Sequence, residues 1–91
     1  MAVDWSIRGE YIAKRAMTPA IASEALADPD AQVLNPDPAS KSGVSVRTIG
    51  YSATVGALIT AITVEEDGVV CGTNAWRSND RDIGRYNDRQ V

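Results

Sequence analysis

Ninety-one residues with nine basic and twelve acidic side chains carry a formal net charge of -3, a balance that argues against nonspecific coating of nucleic acid, which rests on phosphate neutralisation. The chain is 44% hydrophobic and 23% charged, proportions that exclude intrinsic disorder and predict one globular domain over residues 1–91. With no histidine and a single cysteine, Cys71, an intrachain disulfide, a zinc finger and histidine-based acid–base or metal chemistry are excluded.

In chain order, "VDWSIRGEYIAKRAM" sets Trp5, Ile12 and Ala16 at roughly helical spacing, with Ala13 near them, and predicts an amphipathic helix from about Trp5 to Ala16, weakened by Gly9. Thr18-Pro19 is a helix start, with Thr18 as N-cap and Pro19 at the first helical position, where a missing N–H costs nothing. The second helix, "PAIASEALA", then runs to Asp28-Pro29. Its expected buried stripe is Ile21, Ala25 and Leu26.

"AQVLN" reads as a short strand and "PDPASKSG" as an exposed loop. "VSVRTIGYS" is a second strand, with Val44 and Val46 on one face and Ser45 and Arg47 on the other. A turn over Ser52–Gly56 leads into "ALITAITVE", apolar or small at nearly every position, as suits an interior strand covered on both faces. This run is also too short to cross a bilayer, and no charged n-region precedes an apolar stretch at the N-terminus, so the expected location is the cytoplasm. Asp67-Gly68 between it and "VVCGTNAW" is the strongest hairpin signal in the chain and predicts a meander. Cys71 is expected as a small buried hydrophobe in the last strand.

After Trp76 the period changes. Ser78 or Asn79 caps a final helix whose first turn holds Asp80 and Asp82, matched to the dipole, with Gly84 in its interior. Four of the nine basic residues fall at Arg77, Arg81, Arg85 and Arg89, a spacing that keeps them on one helical face. Interleaved with Asp80, Asp82 and Asp88 they read either as a solvated, salt-bridged surface or as a track for an anionic ligand. The expected fold class is therefore α+β: two N-terminal helices, a four-stranded mainly antiparallel sheet and a C-terminal helix.

The chain has no P-loop, dinucleotide-binding fingerprint, nucleophile elbow or metal-ligand cluster, so no cofactor and no metal are expected. What stands out is Lys14 and Arg15 at the end of the first helix, Arg47 on a strand, the C-terminal arginines and Tyr86. Such a set suits phosphodiester cleavage by transesterification, in which arginines stabilise charge on the phosphate and the 2′-hydroxyl of RNA is the nucleophile. Trp76 reads as a residue packed on the sheet or as a platform for a stacked base.

Taken together, Asp4-Trp5 before the first helix, Asp28-Pro29 after the second, "RTIG" (Arg47–Gly50) on a strand, and Asn74-Ala75-Trp76-Arg77 followed by Asp82 and Tyr86 resemble the BrnT-type toxins of bacterial type II toxin–antitoxin pairs, small ribonucleases with a RelE-like fold. The resemblance covers most of the chain. It implies a metal-independent endoribonuclease that arrests growth, with Arg47, Arg77 and Tyr86 as catalytic candidates, Lys14, Arg15, Trp76, Arg81 and Arg85 as RNA-binding candidates, a cognate antitoxin as partner, and dimerisation through the sheet or an edge strand. Arg77 matches the family pattern with a shift of one, because Trp76 stands at the usual arginine position. The chain also departs at Arg15-Ala16, where relatives often carry a basic residue and histidine, and in its acidic net charge. Those departures favour an alternative, a noncatalytic interaction module that kept the toxin fold and binds an antitoxin or regulator. On the catalytic reading, Arg47→Ala is expected to abolish toxicity and leave the thermal melt nearly unchanged.

Overall fold

In the computed structural model, which describes residues 3–5, 17–40 and 43–88, the Thr18-Pro19 pair opens helix α1 (Pro19–Ala27). Thr18 Oγ1 accepts the Ile21 N–H at 3.2 Å, so one orphan donor of the first turn is satisfied by the side chain that the sequence places there. The helix stops at Asp28, whose N–H donates to the Ala25 carbonyl at 3.3 Å. Ala22 and Ala25 are its fully buried residues, with Ile21 and Leu26 half-buried beside them. The stripe is smaller than expected because the helix lies very close to the sheet: a Cβ on Gly50 would fall within 2.7 Å of the Ala25 carbonyl carbon.

Four strands follow, β1 (Gln32–Leu34), β2 (Ser45–Ser52), β3 (Ala57–Glu66) and β4 (Val69–Arg77). They form one antiparallel sheet in the order β1-β2-β3-β4, so the meander is complete and the apolar run of β3 is interior, as expected. Asp67 and Gly68, with φ of 51° and 80°, make the two-residue turn between β3 and β4, the paired positive φ that such hairpins require. The last element, α2 (Asp80–Asp88), completes an α+β fold. Among the described residues no helix is long and apolar enough to cross a membrane.

Residues directly opposite in an antiparallel pair share a face. Gly50 faces Ile59, and Thr48 and Ala75 face Ala61. This face takes α1 and holds the main core of Trp5, Met17, Ala22, Ala25, Ile59, Ala61 and Ala75. Ile49 opposes Thr60, which opposes Trp76, while Arg47 opposes Ile62. This second face takes α2, whose Asp82 is fully buried.

The helix expected over Trp5–Ala16 lies outside the described residues except at Trp5, which is not helical. Asp4 instead forms a parallel bridge to Cys71, with Asp4 N–H donating to Val70 at 2.9 Å and Gly72 N–H to Asp4 at 2.8 Å. The bridge lays the buried Trp5 ring over Gly72. Cys71 is half-buried rather than buried.

The arginine spacing from 77 to 89 is not one helical face. Ser78 N–H donates to the Leu58 carbonyl at 2.9 Å, and Arg77 pairs with Ile59 as the last residue of β4. Because the strand ladder continues this far, the helix cap falls to Asn79, whose Oδ1 accepts the Asp82 N–H at 2.9 Å. Arg81 and Arg85 are on α2, and Arg89 lies outside the described residues.

One carboxylate ties α1 to the turn after β2. Glu24 accepts from Ser52 Oγ and Thr54 Oγ1, each at 2.6 Å, and from Thr54 N–H at 3.0 Å. Those hydrogen bonds, from Ser52 first and then Thr54, lower its pKa from 4.5 to about 2. A depressed folded-state value contributes stability above the unfolded value that is lost as pH falls through the folded one. The melting temperature is therefore expected to fall between pH 4.5 and pH 2, and Glu24→Gln to flatten that limb; an identical acid limb in the variant would refute the assignment.

Candidate anion-binding cleft

Arg47 is the centre of the second face. Its position on β2 would carry a solvated side chain if the face were open, but α2 covers it and the residue is 8% exposed. Burial of a guanidinium demands counter-charge. Two carboxylates supply it: Nε donates to Asp37 Oδ1 and Nη1 to Asp82 Oδ2, both at 2.8 Å. The guanidinium lies 5.5 Å from the centre of the Trp76 ring, within the range of cation–π attraction. One indole face is thus occupied by Arg47, which identifies Trp76 as a packing partner of the site.

Asp82 is wholly buried and is the hub of this cluster. Its Oδ2 also accepts the Thr60 hydroxyl at 2.8 Å, and its Oδ1 accepts Arg85 Nη1 at 2.9 Å. Thr60 in turn hydrogen-bonds Ser78 at 2.8 Å. One carboxylate at the third position of α2 therefore binds β2, β3 and its own helix together. The sequence places Asp82 in the first turn of the helix and among the residues of a solvated, salt-bridged surface, not as a buried hub, and it gives Asp37 no role; Asp82 spaced three residues before Arg85 is the signal for their pair.

A cleft of about 340 Å³ opens over this cluster. Its walls are Pro38 and Ala39 of the β1–β2 loop on one side, and the cap Asn79 with Arg81 and Arg85 of α2 on the other, with Arg47 and Asp82 at the base. Arg47 and Arg85 are balanced by Asp37 and Asp82, so the exposed Arg81 leaves the rim positive. Among the described residues Arg47 Nη2 donates to no protein acceptor, and it shares one edge of the guanidinium with Nε and another with Nη1. The cleft can therefore offer N–H donors to an anion from Arg47, Arg85 and Arg81. Among the described residues no group of three or more His, Cys, Asp or Glu side chains is placed to hold a metal ion.

The catalytic candidates do not come together. Arg77 is exposed at the end of β4 and opposes Ile59, on the α1 face and away from Arg47. Tyr86 donates its hydroxyl to Asp28 Oδ2 at 2.8 Å, and the same oxygen accepts the Tyr51 N–H at 2.9 Å. Asp28 belongs to a second groove, of about 430 Å³, lined also by Glu24, Ala27, Pro29, Tyr51 and Ala53. Of the RNA-binding candidates, Arg81 and Arg85 line the arginine cleft and Trp76 supports it, while Lys14 and Arg15 lie outside the described residues. The burial of Arg47 also changes its expected substitution: Arg47→Ala would strand the buried Asp37 without its ion pair and leave Asp82 with Arg85 alone, so the melt cannot stay unchanged.

No protein-family model matches the chain, and no curated protein matches it.

Proposed function

We propose that the chain is the toxin of a type II toxin–antitoxin pair with a RelE/BrnT-like fold, acting on RNA through the arginine cleft. The observation that carries this reading is the convergence of Arg47, Arg81 and Arg85 on one cleft, with the hydrogen bonds of Arg47 to the described residues made by Nε and Nη1. A phosphodiester seated there would receive donors on its nonbridging oxygens, where charge grows during transesterification. In that step the 2′-oxygen bonds to phosphorus, the bond to the 5′-oxygen breaks, and a 2′,3′-cyclic phosphate and a 5′-hydroxyl result. The chain has no histidine, so the proton leaving the 2′-hydroxyl and the proton taken up by the 5′-oxygen pass through water, and cleavage is slow. Antitoxin binding and cytoplasmic location belong to the same reading.

A specific observation favours a second reading. Arg47 is already matched by two carboxylates, which suits a noncatalytic module that binds an anionic surface of a partner.

Arg81 tests both, because it is exposed and makes no ion pair among the described residues. Arg81→Glu is expected to leave the melt unchanged, to weaken binding of single-stranded RNA roughly tenfold, and to reduce the slope of log K against log salt by roughly 0.7 for each phosphate that the side chain no longer neutralises. Induced expression should arrest growth and create discrete new RNA 5′ ends, both diminished in the variant. Binding to RNA without new ends favours the noncatalytic module; no binding at low salt defeats the RNA reading.

A further inference from the structure

The two carboxylates on Arg47 are not equivalent. Asp82 is fully buried on α2 and takes donors from Arg47, Arg85 and Thr60. Asp37 is itself buried, 6% exposed, but sits on the connection between β1 and β2, where its neighbours Pro36, Pro38 and Ala39 are exposed. Its Oδ1 accepts Arg47 Nε at 2.8 Å and the Ala39 N–H at 3.1 Å. Its backbone N–H donates to the Ser45 carbonyl at 2.7 Å, and its carbonyl accepts the Ser40 N–H at 2.9 Å. The same turn supplies Pro38 and Ala39 to the wall of the cleft, so the carboxylate on Arg47 and the wall of the cleft are one segment.

We infer that Asp37 is a resident carboxylate occupying part of the anion site, and that an anion entering the cleft displaces it from Arg47. The inference rests on the arginine cleft being the anion site of the proposed function. Asp37 uses one of the two parallel donors on the Nε/Nη2 edge. A phosphate oxygen pair would engage both, the bidentate geometry that arginine favours. It can do so only when Asp37 releases Nε. With Asp37 in place the Arg47–Arg85–Asp37–Asp82 quartet is neutral; with Asp37 withdrawn it carries one positive charge, at the point where the ligand is negative. Asp82 stays, so the departure of Asp37 does not strand Arg47 or detach α2. The turn carrying Pro38 and Ala39 moves with Asp37, which couples occupancy of the cleft to the shape of its wall.

The experiment is a titration of the full chain with inorganic phosphate and, separately, with a mixed-sequence single-stranded RNA, followed by the Arg47 Nε–H and Ala39 backbone N–H resonances. In the wild type, phosphate is expected to shift both resonances with one binding curve, because both protons leave Asp37 Oδ1 together. Asp37→Asn keeps the shape and an acceptor for Ala39 but removes the charge, and is expected to bind phosphate roughly tenfold more tightly. Arg47 Nε–H titrating while Ala39 N–H stays fixed overturns the inference, and that readout needs no variant. Folded Asp37→Asn protein that binds phosphate no better than the wild type also overturns it, as does absence of phosphate binding in both. Phosphate binding with coupled shifts but no RNA binding upholds the displacement and defeats the RNA reading alone; RNA binding that weakens in Arg81→Glu, with no coupling at Asp37, does the reverse.

Discussion

Asp82→Ala is expected to destabilise the protein by about 3–5 kcal/mol, the cost of leaving buried charge unpaired. Removing this carboxylate strips Arg47 of one of its two counter-charges and takes the acceptor from Thr60 and from Arg85 at once. A chain of this size has a total stability of about 5–14 kcal/mol on the usual per-residue scale, so the loss is a large part of the whole. The melting temperature should fall by at least about 12 °C. Asp82→Asn, of the same shape without the charge, should lose most of the same amount, which separates the electrostatic role from simple packing. Arg85→Ala is the control: its side chain is 29% exposed, and removing an arm that reaches solvent is expected to cost about 1 kcal/mol or less. Chemical denaturation of the three variants checks the order. A loss below about 1 kcal/mol for Asp82→Ala would show that the Arg47 cluster does not hold α2 to the sheet.

The features legible in the sequence are those set by neighbours in the chain. Thr18-Pro19 marks the start of α1 because the cap and its donor partner are three residues apart. Asp67-Gly68 marks the hairpin, since a turn of two residues with positive φ admits few side chains. Asn79 and the acidic first turn place α2 for the same local reason. The arginine spacing misleads because 77, 81 and 85 keep a helical period across a boundary that only the β3–β4 ladder fixes. Pairing of Arg77 with Ile59 is a matter of strand register, which no helical pattern carries.

The candidate site is legible only at its arginines. Asp37 meets Arg47 across 10 residues, Asp82 meets it across 35, and Tyr86 meets Asp28 across 58. An aspartate between two prolines reads as a solvated turn, and nothing nearby in the chain reports that the turn folds under a buried guanidinium. Strand alternation alone leaves the Arg47 face open and suggests a catalytic group poised in solvent; its burial follows from α2 covering that face. The helix expected over Trp5–Ala16, with Lys14 and Arg15 at its end, lies outside the described residues.

Gly50→Ala and Gly84→Ala make the same chemical change with opposite expected signs. At Gly50 the added methyl meets the Ala25 carbonyl of α1, a backbone group that cannot rotate away. The helix must then lift from the sheet, and the packing of Ala22 and Ala25 with Ile59 and Ala61 loosens with it. Overpacking of this kind costs about 1–3 kcal/mol where side chains can yield, and a collision with backbone places Gly50→Ala at or above the upper end. Gly84 lies within α2 with nothing within 4 Å of the added methyl. There the substitution restricts the unfolded chain and improves helix propensity, for a gain of about 1 kcal/mol. Urea unfolding of both variants is the measurement. A drop for Gly50→Ala and a rise for Gly84→Ala would establish that α1 rides on the bare backbone of β2 while α2 leaves its glycine in open space. Equal effects of either sign would mean that α1 is not seated on the sheet at this distance. Since the small residues of α1 and the glycine of "RTIG" are then one packing device, Gly50 in that motif owes its place to the seat it makes for the helix, while Arg47, three residues earlier on the opposite face, owes its place to the cleft.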